Sequence, residues 1–170
     1  MWWYRIERLV VLNAPHPGVF GSYLRRSPTQ LVRSAYIGFF QLPWLPENVL
    51  GARNFQVLAA AMTRTNRPGT ITDGDLAIYR QAWAQPGALT AMLNWYRALP
   101  WSVKQGLGRV QMPALVLWGT RDVALERGLA QDSVRLCEDG RLQWFEGASH
   151  FVQHEEPAAV GAALVGFLKR

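Results

Sequence analysis

Three observations predict an α/β fold interrupted by an all-helical insertion. A short, branched apolar run, RLVVLN at 8–13, opens the chain, and the stretch from Val19 to about Pro100 shows helical patterns and no strand. Two strand-and-helix units then follow to the C-terminus. About three parallel strands with flanking helices are expected.

Residues 8–13 do not alternate in polarity, which marks a strand covered on both faces of a parallel sheet. APHPG at 14–18 follows, and its two prolines stop a ladder or a helix. In the long middle stretch TQLVRSAYIGFFQL, ENVLGARNFQVLAAAM, DGDLAIYRQAW and GALTAMLNWYRAL each read as one helix, separated by LPWLP, NRPGT and QPG. Thr72 with Asp75 three residues on marks the third start: the hydroxyl caps, and the early acids suit the helix dipole. MPALVLWG at 112–119 is a second continuous apolar run, and RLQWF at 141–145 a third, with the helical RGLAQDSVRL between them. Pro157 stands at a helical first position in PAAVGAALVGFLKR. The division expected is a core strand and its loop at 1–18, a helical cap at 19–104, and the C-terminal part of the core at 105–170.

The 170 residues are 49% hydrophobic and 18% charged, a balance that excludes a disordered chain. No apolar run is long enough to span a membrane, and Arg5, Glu7 and Arg8 interrupt the stretch a secretory leader would need. A cytoplasmic protein is expected, and lone Cys137 reads as inert. The net charge of +6 comes from the first 110 residues, which carry 12 Lys and Arg against 4 Asp and Glu. Those cations are scattered rather than clustered, so a solvated basic surface is expected and nucleic acid is not. Typical sheets have about 4 to 6 strands, so three continuous apolar strands read as part of a larger fold, and a fragment is expected.

In open α/β sheets reactive groups gather at the carboxyl ends of strands. Asp122 follows the second strand in TRDVAL, and His150 follows the third in ASHF. A carboxylate that fixes a histidine tautomer frees the other ring nitrogen to take a proton from water or a nucleophile. Asp122 could equally be a turn residue. His16 reads as a packed or turn-stabilising group, since no acid lies near it in sequence, and His154 as a surface residue. The His150–His154 spacing lacks the metalloprotease glutamate, so no metal is expected. KQGLGRV precedes a strand, which excludes a dinucleotide fingerprint, and no cofactor is implied.

WGTRDVAL and GASHFVQHEEP resemble the acid and histidine loops of the α/β-hydrolase superfamily. SAYIGFFQLPWLPE at 34–47, LNWYR at 93–97 and LVVLNAPHP at 9–17 resemble segments of its soluble epoxide hydrolases. The resemblance covers nearly the whole chain and implies the cap plus the C-terminal part of that core, a partial α/β-hydrolase fold. It implies that Asp122 and His150 activate water, and that the Tyr36 and Tyr96 phenols donate to an epoxide oxygen as it becomes an alkoxide. A phenol, with reference pKa about 10, holds the proton this needs at neutral pH. Phe39, Phe40, Trp44 and Trp95 are then expected to wall an apolar substrate site. Read from composition alone, the two tyrosines are core residues instead.

In this family an aspartate first attacks the epoxide carbon. None of Asp73, Asp75, Asp122, Asp132 and Asp139 lies between glycines at −2 and +2 on a strand-to-helix turn, no G-x-S-x-G is present, and the His-Gly-x-Pro loop is missing. An epoxide hydrolase-like portion, inactive alone, is therefore expected, with a small apolar epoxide as substrate and neither membrane nor nucleic acid as partner. The alternatives are a non-catalytic apolar-ligand binding or interaction protein, which would self-associate or recruit a missing N-terminal half through its free sheet edge, and another hydrolase such as a dehalogenase.

Overall fold

The computed structural model describes residues 6–104 and 108–169. Met1–Arg5, on which part of the reading against a leader rests, and Gln105–Leu107, within KQGLGRV, lie outside the described residues.

Three parallel strands form one sheet in the order β1 (Leu9–Leu12), β2 (Ala114–Gly119), β3 (Gly140–Phe145). Leu9 registers with Ala114, and Ala114 with Gly140, so the strands start level; β2 and β3 end level and β1 ends two residues earlier, opposite Leu117. Strand β2 is buried throughout and splits its side chains between two layers. Leu115 and Leu117 face Val152 of α8 (Val152–Glu155) and Val160 and Phe167 of α9 (Pro157–Leu168). Val116 and Trp118 face Val19 and Phe20 of α1 (Pro17–Arg26) and Leu129 and Ala130 of α7 (Arg127–Arg135). A strand apolar on both faces, with helices on both sides, is the arrangement that a non-alternating run requires. Strand β1 is only half-buried because β2 is its one partner among the described residues.

Helix α1 corrects the expectation that 14–18 merely breaks structure. Pro17 occupies the first helical turn, where its missing N–H costs nothing, and His16 caps the helix by accepting the Gly18 N–H on Nδ1 at 3.1 Å. The turn-stabilising reading of His16 thus holds. The stretch expected as one helix over 29–42 divides into α2 (Pro28–Arg33) and α3 (Tyr36–Phe40), with Ser34 and Ala35 between. Helix α4 (Leu45–Thr65) is broken inside: Arg53, Asn54 and Phe55 have left-handed φ of 49°, 53° and 59°. Such values cost an L-residue about 1–2 kcal/mol each, and tertiary contacts offset them here. Phe55 packs on Trp83 with ring centroids 5.9 Å apart, and the Asn54 carbonyl accepts from Arg80 Nε at 3.2 Å. Trp83 and Arg80 belong to α5 (Asp73–Trp83), which starts on the expected residue with Thr72 and Asp75 forming a reciprocal capping box. Helix α6 (Ala88–Lys104) completes the helical region and runs through Pro100.

A separate apolar cluster of Ala59, Met62, Ile71, Leu76 and Trp83 holds α4 and α5 together. Phe151, from the loop after β3, packs against this cluster, so the helical region and the sheet region meet beside His150. Among the described residues no helix is long and apolar enough to cross a membrane.

Candidate active site

The loops after the three strands converge, and Gly119 is what lets them. A side chain at Gly119 would begin 2.2 Å from the Ser149 carbonyl oxygen and 2.6 Å from that of Ala148, so only glycine admits the His150 loop at this distance. The loop is then fixed by backbone bonds, Arg121 N–H donating to Ala148 O at 2.8 Å and Thr120 N–H to Phe145 O at 3.1 Å. Gly147, with φ 76°, makes the tight reversal between them.

This brings the expected pair together. His150 Nδ1 lies 2.9 Å from Asp122 Oδ2, and the Asp122 side chain is 1% exposed. A carboxylate only accepts, so Nδ1 carries the proton and Nε2 is left as the basic nitrogen. Oδ1 accepts from the backbone N–H groups of Ala124 and Leu125 at 2.8 and 2.9 Å, which makes Asp122 a turn residue and the partner of a histidine at once. Burial pushes its carboxyl up, and the His150 bond and charge, followed by the Asn13 and Leu125 donors, outweigh this and hold it below its ordinary value.

Asn13 was not singled out from the sequence, yet it donates through Nδ2 to Asp122 Oδ2 at 2.6 Å and accepts the Gly119 N–H on Oδ1 at 3.2 Å. It sits at the carboxyl end of β1 with φ 41°, a left-handed conformation that asparagine tolerates. The rule that selected Asp122 and His150, inspecting the residue after each strand, would have selected it too.

In the helical region Tyr36 and Tyr96 also meet, with ring centroids 5.7 Å apart. Arg97, next to Tyr96 on α6, donates to the carbonyls of Phe40 at 3.1 Å and Leu42 at 2.8 Å and pairs with Glu47 at 2.8 Å. Gln41 Nε2 donates to the Tyr96 carbonyl at 3.0 Å. These bonds clamp α3 to α6. Tyr36 keeps 40% of its surface exposed. Burial first, then the Tyr96 hydroxyl bonded to it, then the Asp122 charge raise its pKa well above the ordinary phenol value. At neutral pH it is a proton donor.

Phe40 joins the two tyrosines, 5.3 Å from Tyr36 and 4.9 Å from Tyr96, and Phe39 stands beside Phe40 at 5.9 Å. Trp44 and Trp95 do not join them, and their exposures of 68% and 81% place them in water. A depression of about 570 Å³ lined by Leu115, Arg141, Gln143 and Phe167 contains none of the four polar site residues. His154, read as a surface residue, is half-buried, and its Nε2 lies 2.8 Å from the Tyr79 hydroxyl on α5. Burial pushes the Cys137 thiol up, which keeps it protonated and inert.

The fold and this acid–histidine pair define an α/β hydrolase. The chain matches the alpha/beta hydrolase family over residues 4–163 and belongs to it. It is 40% identical over 165 residues to the Bacillus subtilis protein described as AB hydrolase superfamily protein YfhM, covering 96% of this chain and 58% of that one. It is 35% identical over 170 residues to human epoxide hydrolase 4, covering 47% of it. The chain therefore spans roughly half the length of the curated relatives it matches. Among solved structures, the Bacillus megaterium epoxide hydrolase superposes with a TM-score of 0.83 over 99% of this chain and 63% of that one, at 21% identity, a likeness of fold.

Proposed function

We propose that this chain supplies the water-activating pair and the alkoxide-protonating phenols of an epoxide hydrolase, acting on a small apolar epoxide. The helical residues 19–104 act as a lid over residues 105–170 and the strand at 1–18. In the reaction proposed, a carboxylate attacks an epoxide carbon and the ring C–O bond breaks. Tyr36 or Tyr96 protonates the departing oxygen. Water then adds to the ester carbonyl as His150 Nε2 takes its proton, collapse of the adduct releases the vicinal diol and restores the carboxylate, and the imidazolium proton returns to the phenolate.

The single observation that carries this reading is the meeting of Tyr36 and Tyr96, ring centroids 5.7 Å apart, in a chain whose His150 Nδ1 lies 2.9 Å from Asp122 Oδ2. Two paired phenolic donors and an acid–histidine pair suit a reaction that forms an alkoxide and then hydrolyses an ester. The relatives named epoxide hydrolases support the same substrate class.

The attacking carboxylate is proposed to come from outside these 170 residues. Asp73 and Asp75 occupy the first turn of α5, Asp132 pairs with Arg26 and Arg135, Asp139 precedes β3 and Asp122 holds His150. The purified chain is expected to leave styrene oxide unhydrolysed. Joined to a complementary N-terminal core segment bearing the aspartate, it is expected to turn it over, with activity lost in His150→Gln and reduced about 100-fold in Tyr36→Phe. Turnover by the chain alone, or a joined protein indifferent to both changes, overturns the proposal.

The edge of β1 favours one further reading: its backbone groups that are unpaired among the described residues are proposed to recruit that core segment or a second copy of this chain. Gel filtration of the chain with and without the segment separates the two.

A further inference from the structure

Glu155 lies five residues beyond His150, and its side chain has no exposed surface. Its carboxylate accepts from both sides of a boundary. From the histidine loop come the Ser149 N–H at 3.0 Å and the Ser149 hydroxyl. From the helical region come the Arg67 N–H at 3.0 Å and Arg67 Nε at 3.0 Å. Arg67 continues the tie through Nη2, which donates to the Glu155 carbonyl at 2.7 Å and to Glu156 Oε1 at 2.6 Å. Every partner of the Glu155 carboxylate is a donor, which is the set an acceptor-only group satisfies when buried.

We infer that Glu155 is a positioning residue, binding the backbone that carries His150 to Arg67, so that the registry of the imidazole with Asp122 depends on where the helical region sits. This rests on reading Asp122 and His150 as the water-activating pair. The residue anchored by Glu155 is Ser149, directly before His150, and the Ser149 carbonyl is the atom that closes on Gly119. A shift of Ser149 is therefore a shift of the ring. The Tyr79–His154 contact runs parallel to this tie, and Phe151 packs into the α4–α5 cluster, with its ring 5.1 Å from that of His150. A movement of the helical region thus has a route to the imidazole through Arg67 and Glu155.

The test is the His150 Nδ1–H resonance of the full chain by proton NMR, identified by its loss in His150→Gln and in Asp122→Asn. Arg67→Met removes the arm from the half-exposed side and leaves Glu155 in place. It is expected to speed exchange of that proton with water about tenfold, the equivalent of one charge-assisted hydrogen bond. Arg67→Lys, which keeps the charge and loses the fork, is expected to fall between. Arg64→Met, on the exposed end of α4, is the control and should leave exchange unchanged. Glu155→Gln, which turns an amide donor toward donors, should exceed Arg67→Met if it folds. A resonance that depends on Asp122 but ignores Arg67→Met overturns the positioning role and leaves the pair intact. A resonance that persists in Asp122→Asn overturns the pair, and this inference with it.

Discussion

The Asp122 carboxylate has 1% of its side chain in water and four donors around it, from Asn13, Ala124, Leu125 and His150. Tyr36 has 40% of its surface in water and stands on a five-residue helix with no side-chain cap and no buried residue. Both groups are proposed to act in one reaction, yet the first is built from the ends of three neighbouring strands and the second from two helices clamped by Arg97. Strand ends deliver fixed backbone donors to a buried charge, and they do so inside this chain. Short helices deliver side chains whose outer faces are left uncovered. The acid–histidine side should therefore be sensitive to any change in backbone or donor, and the tyrosine side tolerant of it.

Gly119 gives the largest expected effect. A valine there meets two carbonyl oxygens well inside contact distance, and neither is the movable end of a side chain. Either the His150 loop leaves β2 or the strand end distorts. Gly119→Val is expected to cost about 3 kcal/mol or more, read from the denaturant midpoint, with the Asp122-dependent His150 proton lost. A folded variant that retains this proton would show that the loop has more room than the backbone geometry allows.

Asn13→Ala comes next. It withdraws a donor from a buried carboxylate and an acceptor from Gly119, leaving unmet groups that cost about 1–3 kcal/mol, and it keeps a β-carbon at a φ of 41° without the amide that makes asparagine tolerant there. Asn13→Gly removes the same hydrogen bonds and relieves the backbone. The difference between the two midpoints measures the conformational share, expected near 1 kcal/mol. Equal midpoints would assign the whole loss to the hydrogen bonds.

These two residues also mark how far the sequence was legible. Strand β2 and helix α5 were readable because a single local signal, an unbroken apolar run or a capping box, determines each. Asp122 and His150 were readable because the end of a parallel strand is where loop chemistry gathers. Asn13 obeys the same rule, but a lone asparagine beside prolines looks like a turn. Glu155 and Arg67 are 88 residues apart, and only the packing of the helical region against the sheet makes them partners. The break at 53–55 in α4 has no glycine or proline at the left-handed positions; Trp83 and Arg80, from another helix, hold it open. Trp44 and Trp95 were placed in the substrate wall by proximity in sequence, but Trp44 stands in the left-handed turn before α4 and Trp95 on an exposed position of α6.

Acid should unsettle the sheet side in two steps. His16 is kept neutral by burial, its pKa lies below 6.5, and its Nδ1 accepts a backbone N–H. Its contribution to stability is complete above pH 6.5 and is lost as pH falls through the depressed folded value. The Asp122 pKa is likewise depressed, from 3.8, so its contribution is complete above that pH and is lost only below it. Thermal midpoints measured from pH 8 to pH 2.5 are expected to drop first below 6.5, a step absent in His16→Asn, and again below 3.8, a step absent in Asp122→Asn. A single step unaffected by either substitution would place the acid lability elsewhere.

Tyr36→Phe and Tyr96→Phe should change stability least. Each deletes one oxygen from a pair of hydroxyls that bond to one another, and Tyr36 is already part-exposed, so the aromatic contacts with Phe40 survive. The expected cost is about 0.5 kcal/mol or less for either single change. If the tyrosines were instead core residues whose hydroxyls fasten α3 to α6, the loss would approach that of Arg97→Met, which removes two carbonyl contacts and an ion pair at once. Comparing the three denaturation midpoints decides it: phenylalanine variants level with the unmodified chain, and Arg97→Met below all of them, would mean that the hydroxyls are retained for what they donate to and not for what they hold.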